Sequence, residues 1–425
     1  MAGENRASGD NEGDWPTYRH DPARSGCADT EVPADLTPLW ETNVGPRPTS
    51  PVVADGRVLV ASSETYTVFA LNEADGKRLW SYTAGSRVDT PPTAYRGLAL
   101  FGSADGWVTC LRAADGELVW RRRVARDDSL MMNRGRLESV WPCHGSVLIR
   151  DGMAYLAAGR SSFLDGGIHV QAVDPFSGEL LRQTRIDSID PATGDMVEAL
   201  LPYDMPPDAL GALPDVLVGD DQAVYMRHLR FDPTTLDYRS AVEAGAEKKP
   251  RNQSPDVGRH LMSTAGLLDD AWFSQTYWTI DGKSQCKLLV FDPTTAYGVK
   301  PFPGAARHSR AIFKPGTQGY TLFANERPGH KARWSTKIPV RVTAMVVAGD
   351  TLFVAGTPDI VDPADPWAAL EGRRGAAIWS ISTENGRKQA EQDLAAAPVF
   401  DGMAAANGRL FVSTVDGAIR CFGEK

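Results

Sequence analysis

Short apolar, β-rich runs recur along this chain, separated by Asp-Gly turns. One group runs Val52-Val53, Arg57-Val58-Leu59-Val60-Ala61-Ser62, Val68-Phe69-Ala70-Leu71 and Leu79-Trp80-Ser81-Tyr82, with Asp55-Gly56 and Asp75-Gly76 between the runs. A tight hairpin turn needs positive φ, which Gly, Asp and Asn tolerate, so the pattern predicts four short antiparallel strands. The next group repeats it through Leu98-Ala99-Leu100-Phe101, Asp105-Gly106, Trp107-Val108-Thr109-Cys110-Leu111 and Asp115-Gly116. Trp40, Trp80 and Trp120 stand forty residues apart. A fixed period near forty is the mark of a repeat architecture.

A third unit reads from 146 to 182, and further units near the C-terminus contain Gly349-Asp350, Asn385-Gly386, Asn407-Gly408 and Asp416-Gly417. Four strands per forty residues, arrayed radially, give an all-β, closed β-propeller of four-stranded antiparallel blades. The last unit stops at Phe422, one strand short. The segment 39–44 around Trp40 has a blade-ending tryptophan and no preceding strands, so it is expected to complete the last blade. A linear solenoid would need polar caps at its ends. First strands are expected near 49, 89, 138, 213, 261, 341 and 398, which makes seven blades; segment 300–334 is either the outer part of a long fifth unit or an eighth blade. The expected organisation is a tail over 1–13 and a single propeller domain over 14–425.

The stretch Gly102-Ser103-Ala104-Asp105-Gly106 through Gly116-Glu117-Leu118-Val119-Trp120 resembles the quinoprotein-like (PQQ-like) propeller repeats of bacterial proteins. The opening Asp14-Trp15-Pro16-Thr17-Tyr18-Arg19-His20-Asp21 resembles the lead-in before such propellers. The resemblance covers roughly 14–185 and 335–425, and it implies a periplasmic or exported setting. It extends to the outer-membrane assembly lipoprotein of this fold, although Cys27 follows no apolar stretch of the kind a lipidated leader has.

Composition changes this picture little. Forty glycines and 29 prolines suit a turn-rich all-β chain, and a net charge of −9 argues against a nucleic-acid partner, which needs clustered cations. Arg121-Arg122-Arg123 reads as a solvated edge. No run of eighteen apolar residues would span a membrane, and the polar 1–13 is not a signal peptide. Cys27, Cys110, Cys143, Cys286 and Cys421 show no vicinal or CxxC pairing and read as buried thiols. A monomer is expected.

Two segments break the rhythm. In the first, Arg136, Glu138, Trp141 and His144 offer a cation, a carboxylate, an aromatic wall and an imidazole beside the central funnel. The bland alternative is a braced, packed loop. In the second, Asp270, Trp272 and Tyr277, with His260 before them, suit a carbohydrate or planar ligand, or a blade core. Trp40, Trp80, Trp120 and Trp334 are expected to dock neighbouring blades.

As the resemblance has it, quinoprotein dehydrogenases hold their quinone on a vicinal disulfide ring over Ca²⁺. This chain has no adjacent cysteines, and Asp187, Asp190 and Asp195 lack calcium-loop spacing. Neither quinone nor Ca²⁺ is therefore expected. The seven histidines show no zinc spacing, so no metal is expected either. The reading that follows is a non-catalytic scaffold that binds a protein or carbohydrate ligand. The alternatives are a carbohydrate-active lyase or hydrolase and, behind it, a quinone-dependent dehydrogenase.

Overall fold

In a computed structural model the described residues are 13–189, 192–195, 212, 214–227, 229–240, 260–263, 278–281, 286–300, 316 and 319–424. They form strands and turns, with no helix among them. The first sheet runs Val52–Ala54, Arg57–Ser62, Thr67–Asn72, Arg78–Thr83, and the second Thr93–Tyr95, Leu98–Gly102, Trp107–Arg112, Leu118–Arg123. The third has Leu148–Arg150, Met153–Ala158, Ile168–Val173, Leu180–Ile186, and the fourth Val218–Gly219, Val224–Met226, Leu229–Phe231, Tyr238–Ser240.

The fifth sheet runs Leu288–Phe291, Thr295–Lys300, Tyr320–Glu326, Ala332–Ile338, and the sixth Val340–Ala348, Thr351–Pro358, Ala376–Ser382, Lys388–Leu394. In the seventh, Pro398–Ala406, Arg409–Thr414 and Ala418–Gly423 are joined by Thr37–Asn43, which pairs antiparallel with Ala418–Gly423. Each is an antiparallel meander.

Local chemistry explains the hairpins. Asp55-Gly56, Arg96-Gly97, Asp151-Gly152 and Asn407-Gly408 all have positive φ at both residues, the type I′ geometry that matches strand twist. Two unit boundaries differ from the sequence reading. The third sheet begins at Leu148, because Arg136–Ser139 pairs instead with Leu130–Asn133 in a separate hairpin. The fifth begins at Leu288 rather than near 261, with Tyr320–Glu326 and Ala332–Ile338 as its outer strands, while Met262–Ser263 pairs with Trp278–Thr279.

Apolar faces pack sheet against sheet. Val68, Ala70, Phe101 and Leu111 join the first sheet to the second; Leu100, Cys110, Ala154 and Leu156 join the second to the third; Tyr155, Val170, Val224 and Phe231 join the third to the fourth. Val290, Leu322, Val347 and Leu352 join the fifth to the sixth, and one cluster containing Phe353, Phe411 and Val60 links sixth, seventh and first.

Residues 14–28 run across the first strands of all seven sheets. Trp15 exchanges backbone hydrogen bonds with Val53, and Pro16 O accepts from Ala94 N. Arg24 donates to Val147 O and Leu217 O. Pro22 O accepts from Gly219 N, Ser25 O from Phe291 N, and Gly26 O from Val347 N, beyond which Cys27–Ala28 pairs parallel with Val347–Ala348. Arg19 and Tyr18 both reach Asp401 of the seventh sheet.

Candidate functional site

Within these antiparallel sheets the turns joining strands one to two and three to four fall at one end, and the connections joining strands two to three or leading on to the next sheet fall at the other, which bears the longest of them. The residues singled out in 134–145 lie on one such connection, between the second and third sheets. Their partners come from others.

Glu138 is buried (1% exposed) and accepts from Arg87 at 2.5 Å, Arg160 at 2.7 Å and Asn133 at 2.9 Å. Burial pushes its carboxyl up, but Asn133, Arg160 and Arg87 outweigh that and hold it below the ordinary range. Arg87 also reaches Asp89 at 2.5 Å, and Asp89 meets His144 Nδ1 at 2.6 Å. Burial raises the Asp89 carboxyl, yet His144 and Arg87 together hold it at about 2. Arg136 pairs with Glu64, which Arg47 also approaches at 3.1 Å. Trp141 donates Nε1 to Asp165 O at 3.0 Å and lies within the apolar cluster between second and third sheets.

Arg87 thus links Glu138 to Asp89 and His144, whereas Arg136 and Trp141 turn to separate partners. His260 is elsewhere. Its Nε2 meets Arg227 O at 2.7 Å, its ring stacks on Tyr225 at 3.9 Å, and its Nδ1 has no hydrogen bond. Burial drives its pKa down to about 4. Asp270, Trp272 and Tyr277 lie outside the described residues, as does Asp190. Sequence reading missed Arg87, Asp89 and Arg160. Their only signal is a position on connections at the same end of neighbouring sheets.

The segment that crosses the first strands is itself buried. Arg24, 1% exposed, donates to Thr17 Oγ1, Tyr18 O and Leu217 O. Burial lowers its pKa to about 10. Arg19 pairs with Asp401 at 2.8 Å and Tyr18 donates to the same carboxylate at 2.6 Å. Beside them is a water-sized cavity lined by Tyr18, Arg24, Asp215, Arg227, Leu261 and Trp278.

The four tryptophans make one repeated contact. Trp40, Trp80, Trp120 and Trp334 donate Nε1 to the carbonyls of Glu73, Ala113, Pro175 and Thr383 in the following sheet, at 2.8–2.9 Å. Each ring lies over a glycine there: a Cβ on Gly76, Gly116, Gly178 or Gly386 would fall 2.5–2.7 Å from it. All five cysteines are free, four buried and Cys27 partly so. Among the described residues no cluster of His, Cys, Asp and Glu is placed to hold a metal, and no helix is long and apolar enough to cross a membrane.

Residues 33–199, less than half of the chain, match the family described as outer membrane protein assembly factor BamB. No curated protein matches the sequence. Among solved structures, quinohemoprotein alcohol dehydrogenase from Comamonas testosteroni is similar over 97% of this chain and 81% of its own, with 14% identity and a TM-score of 0.55. The Pseudomonas putida HK5 enzyme ADHIIG is similar over 99% and 83%, with 13% identity and a TM-score of 0.55. A europium-containing methanol dehydrogenase is similar over 98% and 99%, with 12% identity and a TM-score of 0.56. Such identities speak to fold alone. With the repeat pattern and the sheets they mark an all-β chain with a PQQ-like propeller fold.

Proposed function

We propose that residues 14–425 form one closed ring of seven blades, acting as a non-catalytic scaffold that binds a protein partner on the end bearing the long connections. The pairing of Thr37–Asn43 with Ala418–Gly423 supports closure. The single observation that carries the binding reading is the state of the polar residues at that end. Glu138, His144, Asp89 and Arg136 are each engaged by partners from other connections. They brace loops rather than standing free to converge on a substrate.

Apolar side chains on connections at this end face solvent: Met132 at 63%, Leu137 at 61%, and Trp367, on a sixth-sheet connection, at 62%. Exposed apolar groups on a polar rim suit protein contact. The match to an outer-membrane assembly factor favours a protein partner and an exported setting.

A quinone held on a vicinal disulfide over calcium does not fit the donors present. The cysteines are single, and residues 14–28 fill the middle of the sheets. The competing reading is a carbohydrate-active enzyme. One observation favours it, the 2.6 Å His144–Asp89 bond, which orients an imidazole as a general base requires.

The test pairs alcohol-dehydrogenase and polysaccharide-lyase assays with affinity capture by wild type and by a Met132→Asp, Leu137→Asp double variant. The scaffold reading expects no turnover and a captured protein that the variant loses. Turnover abolished by His144→Ala at unchanged melting temperature would establish the enzyme instead.

A further inference from the structure

The outer half of the seam between the second and third sheets is polar and open. Along Ile168–Val173, side chains alternate between faces, and Ile168, Val170 and Ala172 pack toward the fourth sheet. His169 and Gln171 therefore face the second sheet, where Phe69 and Trp379 hold the position of Gln171 in two other sheets. Arg185 lies opposite His169 across the ladder, and Gln183 opposite Gln171.

The facing wall is Val124, Ala125 and Arg126, fixed because the first two amides both donate to Gly106 O. Between the walls is a cleft of about 510 Å³ lined by Arg126, His169, Gln171, Gln183, Thr184 and Arg185. That volume is within the range of small-ligand sites. Arg122 ties the seam below it, donating to Gln171 Oε1 at 2.9 Å and Gly178 O at 3.2 Å.

Two features of the cleft point to a ligand. Its charge is locally positive on a chain of net charge −9: Arg126 and Arg185 stand there, with Asp187 at 3.5 Å from Arg185 as the acidic neighbour. In addition, His169 Nε2 is enclosed yet has no hydrogen bond, and the Trp141 ring stands edge-on 6.2 Å away. A buried polar atom without a partner calls for one. Guanidinium forks match oxyanions, while amides, a threonine hydroxyl and an imidazole nitrogen match sugar hydroxyls.

We propose that this cleft binds an oxyanion carried on a hydroxylated body, namely an acidic sugar bearing a carboxylate or a phosphate ester. Its lining residues are none of those in the apolar surface assigned to a protein partner, so the proposal stands or falls independently of that reading.

Calorimetric titration of the full chain with trigalacturonate, glucose 6-phosphate and neutral maltotriose tests this. At least one acidic probe should bind saturably, tighter than about 1 mM, and maltotriose should not. The probe that binds assigns carboxylate or ester. Arg126→Gln and Arg185→Gln, both at exposed positions, should each weaken binding by roughly tenfold with melting temperature unchanged. His169→Leu should weaken it while His169→Gln retains more. Acidic probes that bind no better than maltotriose, or equally well in the Arg126→Gln, Arg185→Gln double variant, would overturn the proposal.

Discussion

Asp401 shows what one buried residue holds together. It accepts from both Arg19 and Tyr18, with all three nearly inaccessible to water. Asp401→Ala strands a buried guanidinium and is expected to cost roughly 3–5 kcal/mol, read as a lowered urea midpoint. His260 makes stability depend on pH. In the folded chain it stays neutral down to about 4, whereas unfolded it protonates near its usual 6.5. The unfolded state therefore binds more protons between those values, and the contribution of His260 to stability is full above 6.5 and is lost as pH falls toward 4. The loss approaches on the order of 3 kcal/mol, and denaturation of His260→Gln across that window should show a flatter decline. At this scale the sequence was partly legible. Glu138 and His144 stood out because they interrupt a repeat, but Arg87, Asp89 and Arg160 meet them only through folding, and no spacing encodes that.

At the scale of elements, periodicity did most. Strands, Asp-Gly turns and the tryptophan interval were readable because each hairpin is a local event. The boundaries near 138 and 261 shifted to Leu148 and Leu288 because a hairpin at 130–139 and the pairing of 262–263 with 278–279 interrupt the rhythm with β-like patterns of their own. The tryptophan contacts carry a pair of predictions. Trp80→Ala, which removes a ring only 8% exposed, should cost roughly 3–5 kcal/mol. Gly116→Ala should also destabilise, since its φ of 77° is strained for alanine and its Cβ would meet the Trp80 ring at 2.7 Å. Equal urea midpoints for wild type and both variants would mean that these rings do not couple the sheets.

The whole molecule depends on its N-terminal segment twice, by our account. Residues 14–28 reach the first strand, or the residue before it, of each of the seven larger described sheets, and Thr37–Asn43 supplies the fourth strand of the seventh. The missing last strand was visible in the sequence, whereas the central path of 14–28 was not, because buried Arg19 and Arg24 look like surface residues until carbonyls surround them. The most direct test of this ring is urea denaturation of a chain beginning at residue 47, with and without a peptide spanning 13–46. A much lower or non-cooperative transition is expected, restored by the added peptide. A truncated chain unfolding at the wild-type midpoint would contradict it.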